Sequence, residues 1–117
     1  MIDGEIIKKA DREVDKKPEF EGGSKNFFKL FKQKFSLPYS AKNHKGPILI
    51  TLIFTVTKDG SVTKCKSSII GTNINIQEDL VNEANRVLKK LTKWIPAEKN
   101  GQKVDYIQIM PFKIDMK

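Results

Sequence analysis

Between Ile48 and Val56 the chain alternates, with Ile48, Ile50, Leu52, Phe54 and Val56 interleaved with Leu49, Thr51, Ile53 and Thr55. Period-two patterning rich in β-branched residues predicts a strand. Lys58-Asp59-Gly60-Ser61 follows, with the Asp-Gly pair that turns a chain back on itself. Val62 to Ile70 then reads as the return strand, with Thr63, Cys65, Ser67 and Ile69 on one side. No other feature restricts the fold as much. An antiparallel hairpin is marginal by itself and needs more strands or a helical cover.

Two segments have the periodicity to supply that cover. Pro18-Glu19-Phe20-Glu21-Gly22-Gly23 is a turn-rich stretch, and Ser24 after it is a good helix N-cap. Phe27, Phe28, Leu30, Phe31 and Phe35 then recur at helical spacing against Lys25, Lys29, Lys32 and Lys34. Pro38 ends this helix, because the residue before a proline is pushed out of the helical region. Rings at this spacing are expected in the core rather than on a binding stripe. The second helix is expected over Gln77 to Thr92, with Leu80, Ala84, Val87, Leu88 and Leu91 on one stripe. Lys89, Lys90 and Lys93 near its end complement the helix dipole. Trp94-Ile95-Pro96 closes it, and Trp94 is expected as a core anchor.

Lys99-Asn100-Gly101-Gln102 predicts a turn, and Val104 to Ile114 a final strand. The order helix, strand, strand, helix, strand predicts an α+β domain of two layers: an antiparallel sheet of about three strands with both helices packed on one face. The domain is expected over residues 18–117. Residues 1–17 are charged and weakly patterned, and read as a flexible lead-in. Proline cannot donate to a ladder, so Pro111 assigns the last strand to a sheet edge with one side open. Ile107 and Ile109 are expected on the face opposite Tyr106 and Met110.

Composition removes several function classes. One histidine, His44, and one cysteine, Cys65, cannot build an ordinary zinc site, so no metal and no cofactor are expected. A Cys65–His44 nucleophile pair would need both groups to meet in space with a third group to orient them. Glu19 and Glu21 read as a solvated turn rather than an acid–base pair. Gly22-Gly23-Ser24 lacks the spacing of a phosphate loop and reads as a helix cap. No enzymatic activity is expected. The net charge of +8 favours anionic partners, but 20 of the 22 basic residues are lysines, distributed over both helices, loops and termini. A nucleic-acid module would need them clustered on one face. No apolar run approaches the length of a membrane span. No signal sequence is visible after Met1. The chain is therefore expected to be cytosolic, or a mature or excised piece of something longer.

Six motifs in fixed order resemble the TonB C-terminal domain family, in the form found in Bacteroidetes-type bacteria. Pro18-Glu19-Phe20-Glu21-Gly22-Gly23 is similar to the family's Pro-Glu-Phe-Pro-Gly-Gly, with Glu21 in place of the second proline. Leu37-Pro38 stands where the family has Tyr-Pro. Val56 with Lys58-Asp59-Gly60-Ser61-Val62 resembles its hairpin. Lys93-Trp94-Ile95-Pro96-Ala97 resembles its Trp-x-Pro-(Gly/Ala) motif, and Asn100-Gly101-Gln102-Lys103-Val104 its Asn-Gly-Lys-Pro-Val turn. Pro111 and Phe112 match the proline and phenylalanine of its last strand.

The resemblance implies a periplasmic protein-binding domain of an energy transducer. Such a domain docks the TonB-box segment of outer-membrane receptors by adding it as a strand to its sheet. It thereby couples inner-membrane energy to nutrient import. The transmembrane anchor and proline-rich spacer of a full transducer are missing from these 117 residues. The implied docking edge is Val104 to Met110, with Ile107 and Ile109 for grip, Lys103 steering acidic segments, Tyr106 as a secondary contact and Gln108 between them. Two alternatives from other classes stand beside it: a free-standing domain that dimerises or scaffolds through its last strand, and a basic nucleic-acid-binding module.

Overall fold

The computed structural model describes residues 14–116, and the side chains of residues 14–113. The elements follow as β1 (Glu19–Phe20), α1 (Gly23–Lys34), a single 3₁₀ turn (Tyr39–Ala41), β2 (Gly46–Val56), β3 (Val62–Thr63), β4 (Ser68–Ile70), α2 (Ile74–Leu88), β5 (Trp94–Ile95), β6 (Ala97–Lys99), β7 (Gln102–Val104) and β8 (Tyr106–Met116). The architecture is α+β, with antiparallel sheets that do not close into a barrel. Among the described residues no helix is long and apolar enough to cross a membrane.

The alternating strand is the spine. β2 pairs along its whole length with β8 on one side, from Gly46↔Met116 to Val56↔Tyr106. On its other side it pairs with β3 at Val56↔Val62 and with β4 at Ile50↔Ile69. Ile48, Ile50, Leu52, Phe54 and Val56 are all buried beneath the helices, as period two requires. Leu49, Thr51, Ile53 and Thr55 point to the opposite face, which no described helix covers.

α1 lies over the β2–β8 half. Its Phe27 ring stacks on Phe54 at 6.4 Å, and Phe28 and Phe31 meet Phe112 at 5.3 and 5.5 Å. α2 lies over the β4 half, and Leu80, Ala84, Val87 and Leu88 face the core. The Asn85 Oδ1 accepts a hydrogen bond from the Ser67 N–H at 3.3 Å. Phe20, Phe27, Phe54 and Trp94 close the core at one end, with ring centroids 5.2–6.4 Å apart. The expected core role of the α1 rings and of Trp94 is what the packing shows.

Local chemistry moves several boundaries. α1 begins at Gly23 behind Gly22, whose φ of 86° supplies the turn into the helix, so Ser24 is inside the helix and makes no cap. Its end comes at Lys34, with Phe35 already extended, three residues before Pro38. α2 begins earlier than expected because Asn73 caps it, its Oδ1 accepting from the Ile76 N–H at 3.0 Å. It ends at Leu88, and the chain tightens through 3₁₀-type bonds, Lys90 N–H to Val87 and Leu91 N–H to Leu88.

The return strand is not continuous. Lys64 adopts φ 53°, and the ladder resumes only after the Lys66 N–H reaches the Ile53 carbonyl at 2.7 Å. This irregular stretch reverses the facing: Thr63 pairs with Thr55 on the open face, whereas Ile69 pairs with Ile50 on the helix side. Thr63 therefore does not share a face with Ile69. At the hairpin tip, Gly60 has φ 84°, and a Cβ there would meet the Trp94 carbonyl oxygen at 2.7 Å. Only glycine fits that position.

Candidate functional site

The last strand is where sequence and packing converge on something unused. Asp105 interrupts the expected Val104–Ile114 strand: its Oδ1 accepts from the Lys58 N–H at 2.8 Å, fastening the β2–β3 turn to the start of β8. Lys103 and Val104 consequently belong to β7, in a small hairpin opposite Glu98 and Ala97. The turn between β6 and β7 is Asn100-Gly101, both at positive φ, the two-residue type expected of such a hairpin. The segment expected to dock a partner is therefore two strands rather than one.

Tyr106, Ile107, Gln108, Ile109 and Met110 all lie on β8 and alternate as expected. Tyr106 is buried opposite Val56, under the helices. Gln108 and Met110 face the same side, opposite Phe54 and Leu52. Ile107 and Ile109 lie on the uncovered face, and Ile109 is 46% exposed. With Leu49, Ile53 and Ile70 they make that face apolar where an ordinary half-covered sheet is polar.

Among the described residues β8 has one strand neighbour, β2. The described end of the lead-in goes elsewhere. The Asp15 and Lys16 N–H groups donate to the Glu98 carbonyl at 2.8 and 3.1 Å, and the Glu98 N–H returns a bond to Lys16. The Asp15 carboxylate accepts from the Asn100 N–H at 2.7 Å. This arm thus adds to β6. The expectation of a flexible lead-in falls mostly on residues 1–13, outside the described residues.

Sequence reasoning missed a cleft of about 270 Å³ on the helix side of β8. Pro18, Phe20, Trp94 and Met110 give it apolar walls, Ser24 and Gln108 lie in its lining, and Glu19 is its one charged residue among the described residues. Trp94 Nε1 and Gln108 Oε1 are both buried and without a hydrogen-bond partner. The Pro-Glu-Phe and Lys-Trp-Ile segments that meet here are paired through β1 and β5, Phe20 against Trp94. No single-strand pattern announces that meeting, because it joins residues more than 70 positions apart.

The remaining candidates do not assemble into chemistry. Cys65 is half-buried beside the core, and burial pushes its thiol pKa up against the pull of Lys89. A raised pKa keeps the thiol protonated at neutral pH, the reverse of an activated nucleophile. No hydrogen bond joins it to His44, whose Nε2 is buried without a partner. Glu19 and Glu21 are exposed, and Glu21 lies 3.7 Å from the Lys93 ammonium. Among the described residues no group of three or more potential metal ligands occurs.

No protein-family model matches the sequence, and no curated protein matches it.

The Glu83–Arg86 ion pair is structural. Arg86 donates to Glu83 at 2.6 Å, the Ser36 N–H donates to the same carboxylate at 2.7 Å, and Arg86 reaches the Lys34 carbonyl at 3.0 Å. The Arg86 hydrogen bond holds the Glu83 carboxyl below its ordinary value. This cluster pins the exit of α1 to the side of α2.

Proposed function

We propose that this chain is a protein-binding domain that captures an extended segment of a partner as an additional strand along β8. The observation that carries the reading is that, among the described residues, the 11-residue β8 has a strand neighbour on one side only. Such an edge offers a row of backbone donors and acceptors, and natural proteins do not leave long apolar edges exposed without a use for them. An added strand satisfies those groups, and its alternate side chains supply specificity. Ile107 and Ile109 would grip from the open face. Lys103, exposed on β7 just before the edge, would steer an acidic segment, in keeping with the charge of +8.

The ordered motifs resembling TonB C-terminal domains give the partner its most specific form: the TonB-box segment of an outer-membrane receptor, met in the periplasm. Main-chain pairing tolerates varied sequences, so one edge would serve several receptors. A pull along the strand loads many bonds together, each adding only about 0.5–1.5 kcal/mol net. That arrangement suits a coupler of force to import.

Proline substitution tests this directly. Successive residues of a strand point their N–H groups to opposite edges, so either Ile107→Pro or Gln108→Pro removes an outward donor while sparing the ladder to β2. That variant, still folded by circular dichroism, is expected to bind a TonB-box peptide at least about tenfold more weakly, the effect of roughly one lost bond plus a displaced backbone. Unchanged affinity in both folded variants would remove β8 from the site. A second reading uses the same edge: two copies pair their β8 strands. Sedimentation separates the two, since a monomer at every concentration excludes self-pairing.

A further inference from the structure

We infer that Pro111 ends the docking register of β8, so that a guest strand pairs with the backbone of Ile107 and Ile109 and not with the far half of the strand; this rests on strand addition at that edge. The direction of each backbone group follows from the other side of β2. There the Thr57 N–H donates to the Ser61 carbonyl at 2.9 Å, and the Ile53 carbonyl accepts from the Lys66 N–H at 2.7 Å. Residues two apart in an antiparallel strand send their N–H and C=O groups to the same side. Ile53, Thr55 and Thr57 therefore serve the β3–β4 lane, and Leu52, Phe54 and Val56 serve β8. β2 and β8 pair residue for residue without a slip, so this parity holds along the whole ladder. Met110, Gln108 and Tyr106 are the partners of Leu52, Phe54 and Val56. Ile107, Ile109, Pro111 and Lys113 consequently turn their backbone groups away from β2.

Pro111 fits that parity, because a proline turned inward would cost the ladder a bond opposite Thr51. Turned outward, it offers a carbonyl and no N–H. Its ring stands where the hydrogen would be, so a guest carbonyl arriving there finds no donor. At the near end the chain leaves β8 at Asp105, held by the Lys58 N–H, and belongs to β7 beside β6. The strand is continuous, but its outward ladder is not. Tyr106 to Met110 span about 17 Å at about 3.4 Å per residue. Within this stretch Ile107 and Ile109 each turn an N–H and a C=O outward, and their side chains stand opposite Thr55 and Ile53 on the open face. Guest side chains paired with them extend these cross-strand rows, where β-branched and aromatic residues pair favourably. The partner that fits is a short extended segment with such residues at two alternate positions.

Two alternating valine–threonine peptides, of about five and about ten residues, are used with the full chain. Amide hydrogen exchange is read residue by residue. At saturation either peptide is expected to slow exchange at Ile107 and Ile109 at least about tenfold and to leave Lys113 within about twofold of its free rate. Pro111→Val supplies the missing outward donor at an exposed position. In that variant the preference for the long peptide over the short one is expected to rise about tenfold above its wild-type value, with Lys113 now protected. Of the two proline substitutions above, Ile107→Pro takes away a guest bond and Gln108→Pro a bond to β2. Only Ile107→Pro is therefore expected to lose binding while keeping the urea midpoint of a folded chain.

Protection of Lys113 equal to that of Ile109 in wild type would overturn the stop and leave the edge standing. An unchanged peptide preference in folded Pro111→Val would do the same. Should Pro111→Val not fold, the wild-type exchange pattern decides by itself. No change at any β8 amide with either peptide would overturn strand addition and the stop together.

Discussion

The two outer lanes of this sheet are built by opposite rules. The lane formed by β3 and β4 comprises two short pieces of two and three residues, broken by left-handed Lys64 and an irregular stretch that switches faces. The lane formed by β8 runs 11 residues with no break. Interrupted edges resist pairing with other chains, and long flat ones invite it. The protein thus blunts one edge and leaves the other long. The difference teaches that, among the described residues, an unbroken outer lane is a local property of β8 rather than of the whole sheet.

Phe112 packs the long lane against α1, so removing that packing has the largest expected effect. Phe112→Ala deletes the ring between Phe28 and Phe31 and is expected to cost about 2–3 kcal/mol in urea unfolding, somewhat less than a fully buried ring. Val62→Ala on the broken lane, partly buried, is expected to cost about 1 kcal/mol. Equal losses would mean that the two lanes are held alike.

The Glu83 cluster joins the helix over the broken lane to the helix over the long one. Glu83→Gln is expected to cost about 1 kcal/mol, because the Arg86 pair and the Ser36 hydrogen bond to the same carboxylate both lie at the surface, where solvent weakens them. The pH sign follows from the direction of the shift. The folded pKa of Glu83 is lowered, so its contribution is complete above the unfolded value near 4.5 and is lost as pH falls through the folded one. Urea midpoints of wild type and variant are expected to differ fully at pH 7 and to converge in the acid range. A gap that widens in acid would reverse the assignment.

Two smaller effects sharpen the contrast. Lys64→Gly relieves a left-handed conformation costing roughly 1–2 kcal/mol, against about 0.5–1 kcal/mol of added chain freedom. Thermal unfolding is expected to show a gain of about 0.5–1 kcal/mol, with no change in peptide binding. Last, Ile70→Thr on β4, where the side chain is 62% exposed, is expected to stay within about 0.5 kcal/mol of wild type and leave binding unaffected. Ile109→Thr is expected to weaken peptide capture severalfold at similar stability. If Ile70→Thr weakens capture equally, the open face rather than the β8 edge holds the partner.

Much of this comparison was legible in residue order. The alternation from Ile48 to Val56, the apolar stripe from Leu80 to Leu91 and the Asn100-Gly101 turn each carry a periodicity or a torsional demand that a neighbouring residue cannot disguise. The assignment of Ile107 and Ile109 to one face and Tyr106 and Met110 to the other needed only the two-residue period of a strand. The break at Lys64 was not legible. A lysine has no preference for left-handed torsions, and the bend is imposed by the bond from Lys66 to Ile53. Nor was the start of α1, where two glycines made the turn before Ser24 could cap it. Asp105 looked like one more strand residue until Lys58 was found on its carboxylate.

Residue order alone therefore determined the two helices, the central strand and its burying face, and the candidacy of the last strand as an edge; it did not determine the facing of the return strand or the short strands β1, β5, β6 and β7. These depend on local torsions and on hydrophobic period, which act over a few residues. Tertiary structure decided which edge stayed long and where the lead-in attached. It also set Pro18, Trp94 and Gln108 around one cleft. Those outcomes depend on contacts between distant segments, where the need to bury rings and satisfy backbone groups is settled only once the whole chain has packed.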